Sequence, residues 1–180
     1  MRFEPLPLPG AFRIVPEPQA DARGFFARTA CEDTFAARGL VAGFRQSSVS
    51  FNLRRGTVRG LHFTAAPHAE TKLVRCTRGA ILDAIVDLRP GSPTYKHWVG
   101  CELTAANHAA LYVPAGFAHG FQTLADETEV LYMIDKPYVA DAARGVRWDD
   151  PAFALTWPEP VTVIAERDRA FPDWTGRAAP

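Results

Sequence analysis

Apolar positions along this 180-residue chain alternate with polar ones or gather in runs of four to eight, and proline or glycine separates the runs. That is the pattern of short β-strands rather than of helices. Thr71 to Thr77, the pair Arg78-Gly79 and Ala80 to Leu88 read as a hairpin whose second arm puts Leu82, Ala84, Val86 and Leu88 on one face. Further strands are expected at Thr57 to Phe63, His97 to Leu103, Ala110 to Val113, Glu129 to Ile134 and Val161 to Ile164. One helix is expected, two turns over Glu32 to Arg38, ended by Gly39. Many short strands without alternating helices predict an all-β fold, an antiparallel sandwich or barrel of jelly-roll type with few short helices. The length allows one domain over residues 1–180, with 1–20 as an N-terminal strand or arm and 175–180 as a loose tail.

Composition narrows the partners. Lys plus Arg and Asp plus Glu are both 20, so the formal net charge is zero and no strongly basic field exists to hold nucleic acid or an anionic membrane. An anionic ligand must therefore be gripped locally. The start, MRFEPLPLPG, lacks a cationic segment followed by an apolar run, and no apolar stretch is long enough to span a bilayer, which predicts a soluble, cytoplasmic chain. Cys31, Cys76 and Cys101 form an odd set without CxxC spacing and read as reduced thiols, Cys76 and Cys101 as small buried hydrophobes.

Two segments carry candidate chemistry. Val58-Arg59-Gly60-Leu61-His62-Phe63 places a histidine in a strand, with Gly60 allowing close approach of another backbone or a ligand. A lone strand histidine is more often structural than catalytic, so this segment needs a second one. Val113-Pro114-Ala115-Gly116-Phe117-Ala118-His119 supplies it, a tight turn that re-enters the sheet and brings an imidazole inward. Its Pro-x-Gly-x-x-His spacing resembles the second conserved motif of the cupin superfamily, whose small barrels often hold a metal. The first cupin motif usually offers His-x-His and a later glutamate, whereas this chain has His62-Phe63-Thr64. Two imidazoles without clearly spaced carboxylates make a poor metal site, so no metal is expected.

Strand alternation adds two residues. Lys72 falls on the same side as Val74 and Cys76, an apolar face on which a lysine is unusual unless it has a task. Tyr132 lies between Val130 and Ile134 on one face, so an inward phenol is expected, protonated at its ordinary pKa near 10. Taken alone, a core tyrosine or a lysine snorkelling from the sheet edge would look the same.

Read in order, the motifs Arg59-Gly60-Leu61-His62, Lys72-Leu73-Val74-Arg75-Cys76, Val86-Asp87-Leu88-Arg89, Ser92-Pro93-Thr94, Pro114-x-Gly116-Phe117-Ala118-His119-Gly120-Phe121, Tyr132, Trp148-Asp149-Asp150-Pro151 and Trp157-Pro158 resemble the dTDP-4-dehydrorhamnose 3,5-epimerase family. The similarity runs from about Asp21 to Asp168. It implies a cupin-type jelly roll and a cofactor-independent epimerase that inverts carbons beside the 4-keto group of a nucleotide-linked 6-deoxyhexose. Such chemistry needs a base for the α-proton, a partner for the enolate, and an acid on the opposite face. The resemblance implies His62 as base, Asp168 as its hydrogen-bond partner, Lys72 and His119 at the oxyanion, and Tyr132 as acid. From the residues alone, Asp168 reads as a surface-loop carboxylate. The resemblance further implies Arg23 and Arg59 on the diphosphate and sugar, Tyr138 stacked on the base, and Phe26, Arg28, Gln46 and Arg167 as further substrate-binding positions. It also implies a homodimer, with an N-terminal strand exchanged between protomers.

The chain departs from the family pattern at several places. Arg28 and Ala143 stand where the family usually has glutamates, Gln46-Ser47-Ser48-Val49 lacks an expected asparagine, and Phe63 replaces a tyrosine. Replacing two acids by a cation and a methyl changes the local charge, so a nucleotide other than dTDP, such as CDP, GDP or UDP, stays open, as does inversion at C3, C5 or both. Two alternatives stand beside the epimerase: a metal-dependent cupin oxygenase or isomerase, and a sugar-nucleotide-binding module without catalysis. Retention of His62, Lys72, Tyr132 and Asp168 argues against the second, because a binder has no use for an opposed acid and base.

Overall fold

The computed structural model describes residues 1–176; from residue 177 on, the expected tail lies outside the described residues. In chain order the strands are β1 (Arg2–Pro5), β2 (Phe12–Val15), β3 (Gln19–Asp21), β4 (Gly24–Phe26), β5 (Gln46–Asn52), β6 (Thr57–Thr64), β7 (Lys72–Arg78), β8 (Ala80–Asp87), β9 (Trp98–Thr104), β10 (Ala110–Val113), β11 (Phe117–Thr123), β12 (Thr128–Ile134), β13 (Ala143–Gly145) and β14 (Val163–Ile164). Two short helices, α1 (Glu32–Ala36) and α2 (Glu166–Arg169), and a 3-10 turn at Ala140–Ala142 complete the elements. One sheet runs β1-β2-β10-β7-β12-β5; the other runs β13-β6-β11-β8-β9, with β14 added parallel to β6. All other pairings are antiparallel, and β3 and β4 form a separate hairpin. This is the expected all-β, cupin-type jelly roll.

The sheets are joined by their facing side chains. Val74, Cys76, Leu111, Val113 and Val130 of the first meet Ile81, Ile85, Leu103, Phe117 and Phe121 of the second. Each such large side chain contributes about 1.5–3 kcal/mol by leaving water. The outer face of the second sheet is covered as well, Leu61, Val86, Leu88 and Ala118 packing under Val146 and Phe153. On the first sheet, Phe35 of α1 covers Ile14, Leu73, Ala110 and Tyr112. The helix ends as expected: Gly39 takes φ +68° and Leu40 donates its N–H back to the Phe35 carbonyl.

The hairpin expected over Thr71 to Leu88 does not exist. β7 pairs with β10 and β12, whereas β8 pairs with β9 and β11, so Arg78-Gly79 carries the chain from one sheet to the other. Two alternating runs joined by a two-residue turn fit a hairpin and a sheet-to-sheet arch equally well. Here Gly79, at φ +78°, makes the corner, and a Cβ there would lie 2.4 Å from Thr128 Oγ1. The single apolar face read for Ala80 to Leu88 is also half of the truth: Ile81, Asp83 and Ile85 are as deeply buried as Ala84 and Val86, because β8 is covered on both sides. The turn at Pro114 likewise re-enters the opposite sheet, from β10 to β11. The N-terminal strand or arm expected over residues 1–20 holds two paired strands, β1 and β2, while alternation missed β3 to β5, β11, β13 and α2; β11 in particular is buried at every position, so it has no polar face to alternate.

Candidate active site

The polar residues that the sheets bring together line a cavity of about 550 Å³ between them. β6 and β11 of one sheet supply Arg59, His62 and His119; β5, β7 and β12 of the other supply Ser48, Ser50, Lys72 and Tyr132. α2 closes one side with Arg167 and Asp168. His62 and His119 are direct partners across the β6–β11 ladder. Gly60 permits that closeness, because a Cβ at its φ of +121° would lie 2.6 Å from Gly120 Cα and 2.8 Å from the His119 carbonyl oxygen.

Asp168, which a sequence reading without relatives leaves on a surface loop, is almost fully buried and accepts from His62, Nε2 to Oδ1 2.8 Å. The Gly60 N–H donates to its other oxygen at 3.1 Å. Burial alone would raise the Asp168 pKa, but the hydrogen bond and charge of His62, with the Gly60 N–H, hold it below the usual carboxylate value. With Nε2 so occupied, Nδ1 is the nitrogen His62 has left for a ligand. Arg167 approaches both, its Nη2 3.4 Å from His62 Nε2 and its Nε 3.4 Å from Asp168 Oδ1.

On the facing sheet, Lys72 is buried and its Nζ lies 2.6 Å from Glu70 Oε1. The rings of Tyr132 and His119 meet in a T-shaped contact, centroids 5.8 Å apart at 83°. Burial, reinforced by the Asp83 charge, pushes the Tyr132 phenol far above its ordinary value, so it enters any reaction protonated. His119 is itself buried and bonded through Nε2 to Asp83 Oδ1 at 2.7 Å. Glu70 and Asp83 escaped the sequence reading. Asp83 carries a signal, an acid between Ile81 and Ile85 on one strand face, but the alternation of Leu82, Ala84, Val86 and Leu88 points to the other face as the core.

Of the remaining expected residues, Arg59 borders this cavity and the others lie outside it. Arg59, at the cavity wall, is held by Asn52 Oδ1 at 2.7 Å. Gln46 starts β5 but does not line the cavity. Tyr138 is exposed in an adjoining cavity of about 200 Å³, with Phe63, Ala143, Arg144 and Phe171 and with His62, Glu70 and Arg167 shared between the two. Arg23 and Phe26 stand on the β3–β4 hairpin, away from the cavity of their own chain: Arg23 pairs with Asp21 and Phe26 is 75% exposed. Arg28 is exposed nearby, its Nη1 3.9 Å from Cys31 Sγ. Among the described residues no three of His, Cys, Asp and Glu are grouped so as to hold a metal ion, and no helix is long and apolar enough to cross a membrane.

Comparison with known proteins bears on the same geometry. The sequence model of dTDP-4-dehydrorhamnose 3,5-epimerase matches residues 5–175. The chain is 46% identical over 173 residues to the dTDP-4-dehydrorhamnose 3,5-epimerase of Sinorhizobium fredii, spanning 96% of this chain and 89% of that protein. It is 39% identical over 170 residues to the dTDP-4-dehydrorhamnose 3-epimerase of Streptomyces niveus, 94% of this chain and 82% of that one. A crystal structure of the Bacillus anthracis 3,5-epimerase with TDP and PPi bound matches with a TM-score of 0.92 at 41% identity, over 96% of this chain and 99% of that chain.

Proposed function

The chain belongs to the dTDP-4-dehydrorhamnose 3,5-epimerase family, and from that premise we propose how its cavity inverts carbons beside the ketone of a dTDP-linked 4-keto-6-deoxyhexose. The ketone acidifies the hydrogens on C3 and C5. His62 Nδ1 takes one of them, and the imidazolium that forms is stabilised by Asp168, which stays anionic because of the same hydrogen bond. The electron pair moves to the carbonyl oxygen, where the Lys72 ammonium and His119, both buried in the cavity wall, hold the new charge. Tyr132, on the opposite sheet, returns a proton to the other face of the flat enolate. The phenolate left in a buried site is costly, so it takes a proton from solvent while the His62 imidazolium releases the sugar's proton to solvent, which restores both groups. The placement of His62 and Tyr132 on facing sheets of one cavity is the observation that carries this reading. Arg59 and Arg167 supply guanidinium groups for the diphosphate, and Tyr138 offers an exposed ring for the base.

The active unit is a homodimer. Phe25 and Phe26 on the β3–β4 hairpin and Val49, Phe51 and Leu53 at the β5 edge are exposed, an apolar set that a second copy would cover. Arg75, on the outer face of the same sheet, keeps a buried Nε without a hydrogen-bond partner among the described residues. The hairpin of the partner then brings its Arg23, Phe26 and Arg28 to this cavity, which accounts for their distance from it within one chain.

Incubating the protein with dTDP-4-keto-6-deoxyglucose in deuterium oxide tests the reaction. Deuterium at C3, C5 or both, with the inverted sugar as product, is expected. Faster turnover of the CDP-, GDP- or UDP-linked ketosugar would overturn the choice of nucleotide, and no uptake from any of them would overturn the reaction.

A further inference from the structure

Asp83 lies at the centre of β8 and is fully buried, yet it is not a packing residue. Its Oδ1 is 2.7 Å from His119 Nε2, and its Oδ2 has no hydrogen-bond partner among the described residues. A carboxylate removed from water with one oxygen unsatisfied costs stability and persists where something else requires it. What it touches is His119, whose ring lines the cavity beside Tyr132 and is the ladder neighbour of His62. Two histidine–carboxylate pairs thus stand side by side, His62 with Asp168 and His119 with Asp83.

The proton count of the second pair decides what it can do. A neutral imidazole that donates Nε2–H to an anionic Asp83 presents a bare Nδ1 lone pair to the cavity, which repels an oxyanion. One further proton on the pair, on either side of the Nε2···Oδ1 bond, puts a hydrogen on Nδ1 and turns it into a donor. The surroundings favour that proton: burial raises the Asp83 pKa, against the opposing pull of His119 and Lys72. The ionisable groups facing Asp83 are Lys72 and Cys76 from β7, Cys101 from β9, His119 from β11 and Tyr132 from β12. Burial holds both thiols protonated, at about 11, so they offer no competing charge.

We infer that Asp83 is a positioning residue for the epimerisation: through Nε2 it turns His119 Nδ1 to the cavity and keeps on that nitrogen the hydrogen that meets the enolate oxygen. This rests on the function proposed above. One pair accepts the proton of the sugar while its neighbour donates a hydrogen bond, although both are built from the same two residue types. The difference is burial, His62 being 36% exposed at its side chain and His119 only 4%.

The test combines Asp83→Ala, Asp83→Asn, His119→Ala and the double variant Asp83→Ala/His119→Ala, assayed with dTDP-4-keto-6-deoxyglucose, with nitrogen-15 NMR of the His119 ring in the unsubstituted protein. Asp83→Ala should lower kcat about a hundredfold with KM nearly unchanged, since the charge it serves arises only on the way to the enolate. Asp83→Asn, whose amide N–H can donate to Nε2 and leave the hydrogen on Nδ1, should recover most of that loss. In the His119→Ala background Asp83→Ala should cost nothing further. The NMR spectrum, which needs no turnover, should show Nδ1 carrying hydrogen. A bare Nδ1, an Asp83→Ala enzyme with unchanged kcat, or a loss that adds in full to that of His119→Ala would overturn the role of Asp83. Absence of turnover in the unsubstituted protein would instead strike the proposed reaction, and the NMR result would still decide the Asp83 link.

Discussion

Asp168 joins two roles in one side chain, orienting His62 and tying α2 to β6 through the Gly60 N–H. Asp168→Asn keeps the shape but removes the charge that stabilises the imidazolium, so kcat should fall on the order of a hundredfold. Its effect on stability has a defined sign. The folded pKa is depressed, so the carboxylate stabilises the fold above its unfolded value near 4 and loses that contribution as pH falls through the lower folded value. Denaturant unfolding of the two proteins should therefore differ most at neutral pH and converge in acid; a constant gap would contradict it. Lys72 and Tyr132 were visible in the sequence because each breaks an apolar alternation, and a polar group on a core face needs a partner or a task. Asp168 was not, because its partner lies 106 residues away and a local pattern carries no trace of that distance. Asp83 was visible in principle, but β8 is buried on both faces and the wrong one was read as the core.

At the scale of elements, the site depends on how close two strands can come. β6 and β11 approach at Gly60 and Gly120, which sets His62 beside His119. Gly60→Ala should cost about 2–3 kcal/mol, since φ +121° is strained for any other residue and the new methyl meets backbone rather than a side chain that could yield. Chemical denaturation would measure the loss, and a variant as stable as the parent would contradict it. Most of the strands nearest the site could be drawn from alternation. Their pairing could not, because alternation shows which way a side chain points and says nothing of which sheet the strand joins. That is why Lys72 to Arg78 and Ala80 to Asp87 passed for a hairpin when Gly79 instead sends them to opposite sheets.

At the scale of the whole molecule, two facing sheets put His62, the proposed base, and Tyr132, the proposed acid, on opposite walls of one cavity, while Arg23 and Phe26 on the β3–β4 hairpin and Arg28 just after it lie outside that cavity. If the hairpin serves a second copy, the two defects can be separated. Arg23→Ala and His62→Ala chains, each nearly inactive, should recover up to about a quarter of parent activity when mixed after unfolding and refolding, as statistical pairing of two chains with one intact site per mixed dimer predicts. A mixture no more active than its parts would place both residues in one chain's site. The central claim is the opposition of His62 and Tyr132, and deuterium uptake by Tyr132→Phe set beside that of His62→Ala tests it most directly. Tyr132→Phe should still exchange the α-hydrogen of dTDP-4-keto-6-deoxyglucose with solvent while failing to invert the carbon, and His62→Ala should do neither. Exchange by His62→Ala at the parent rate, or inversion by Tyr132→Phe at the parent rate, would contradict it.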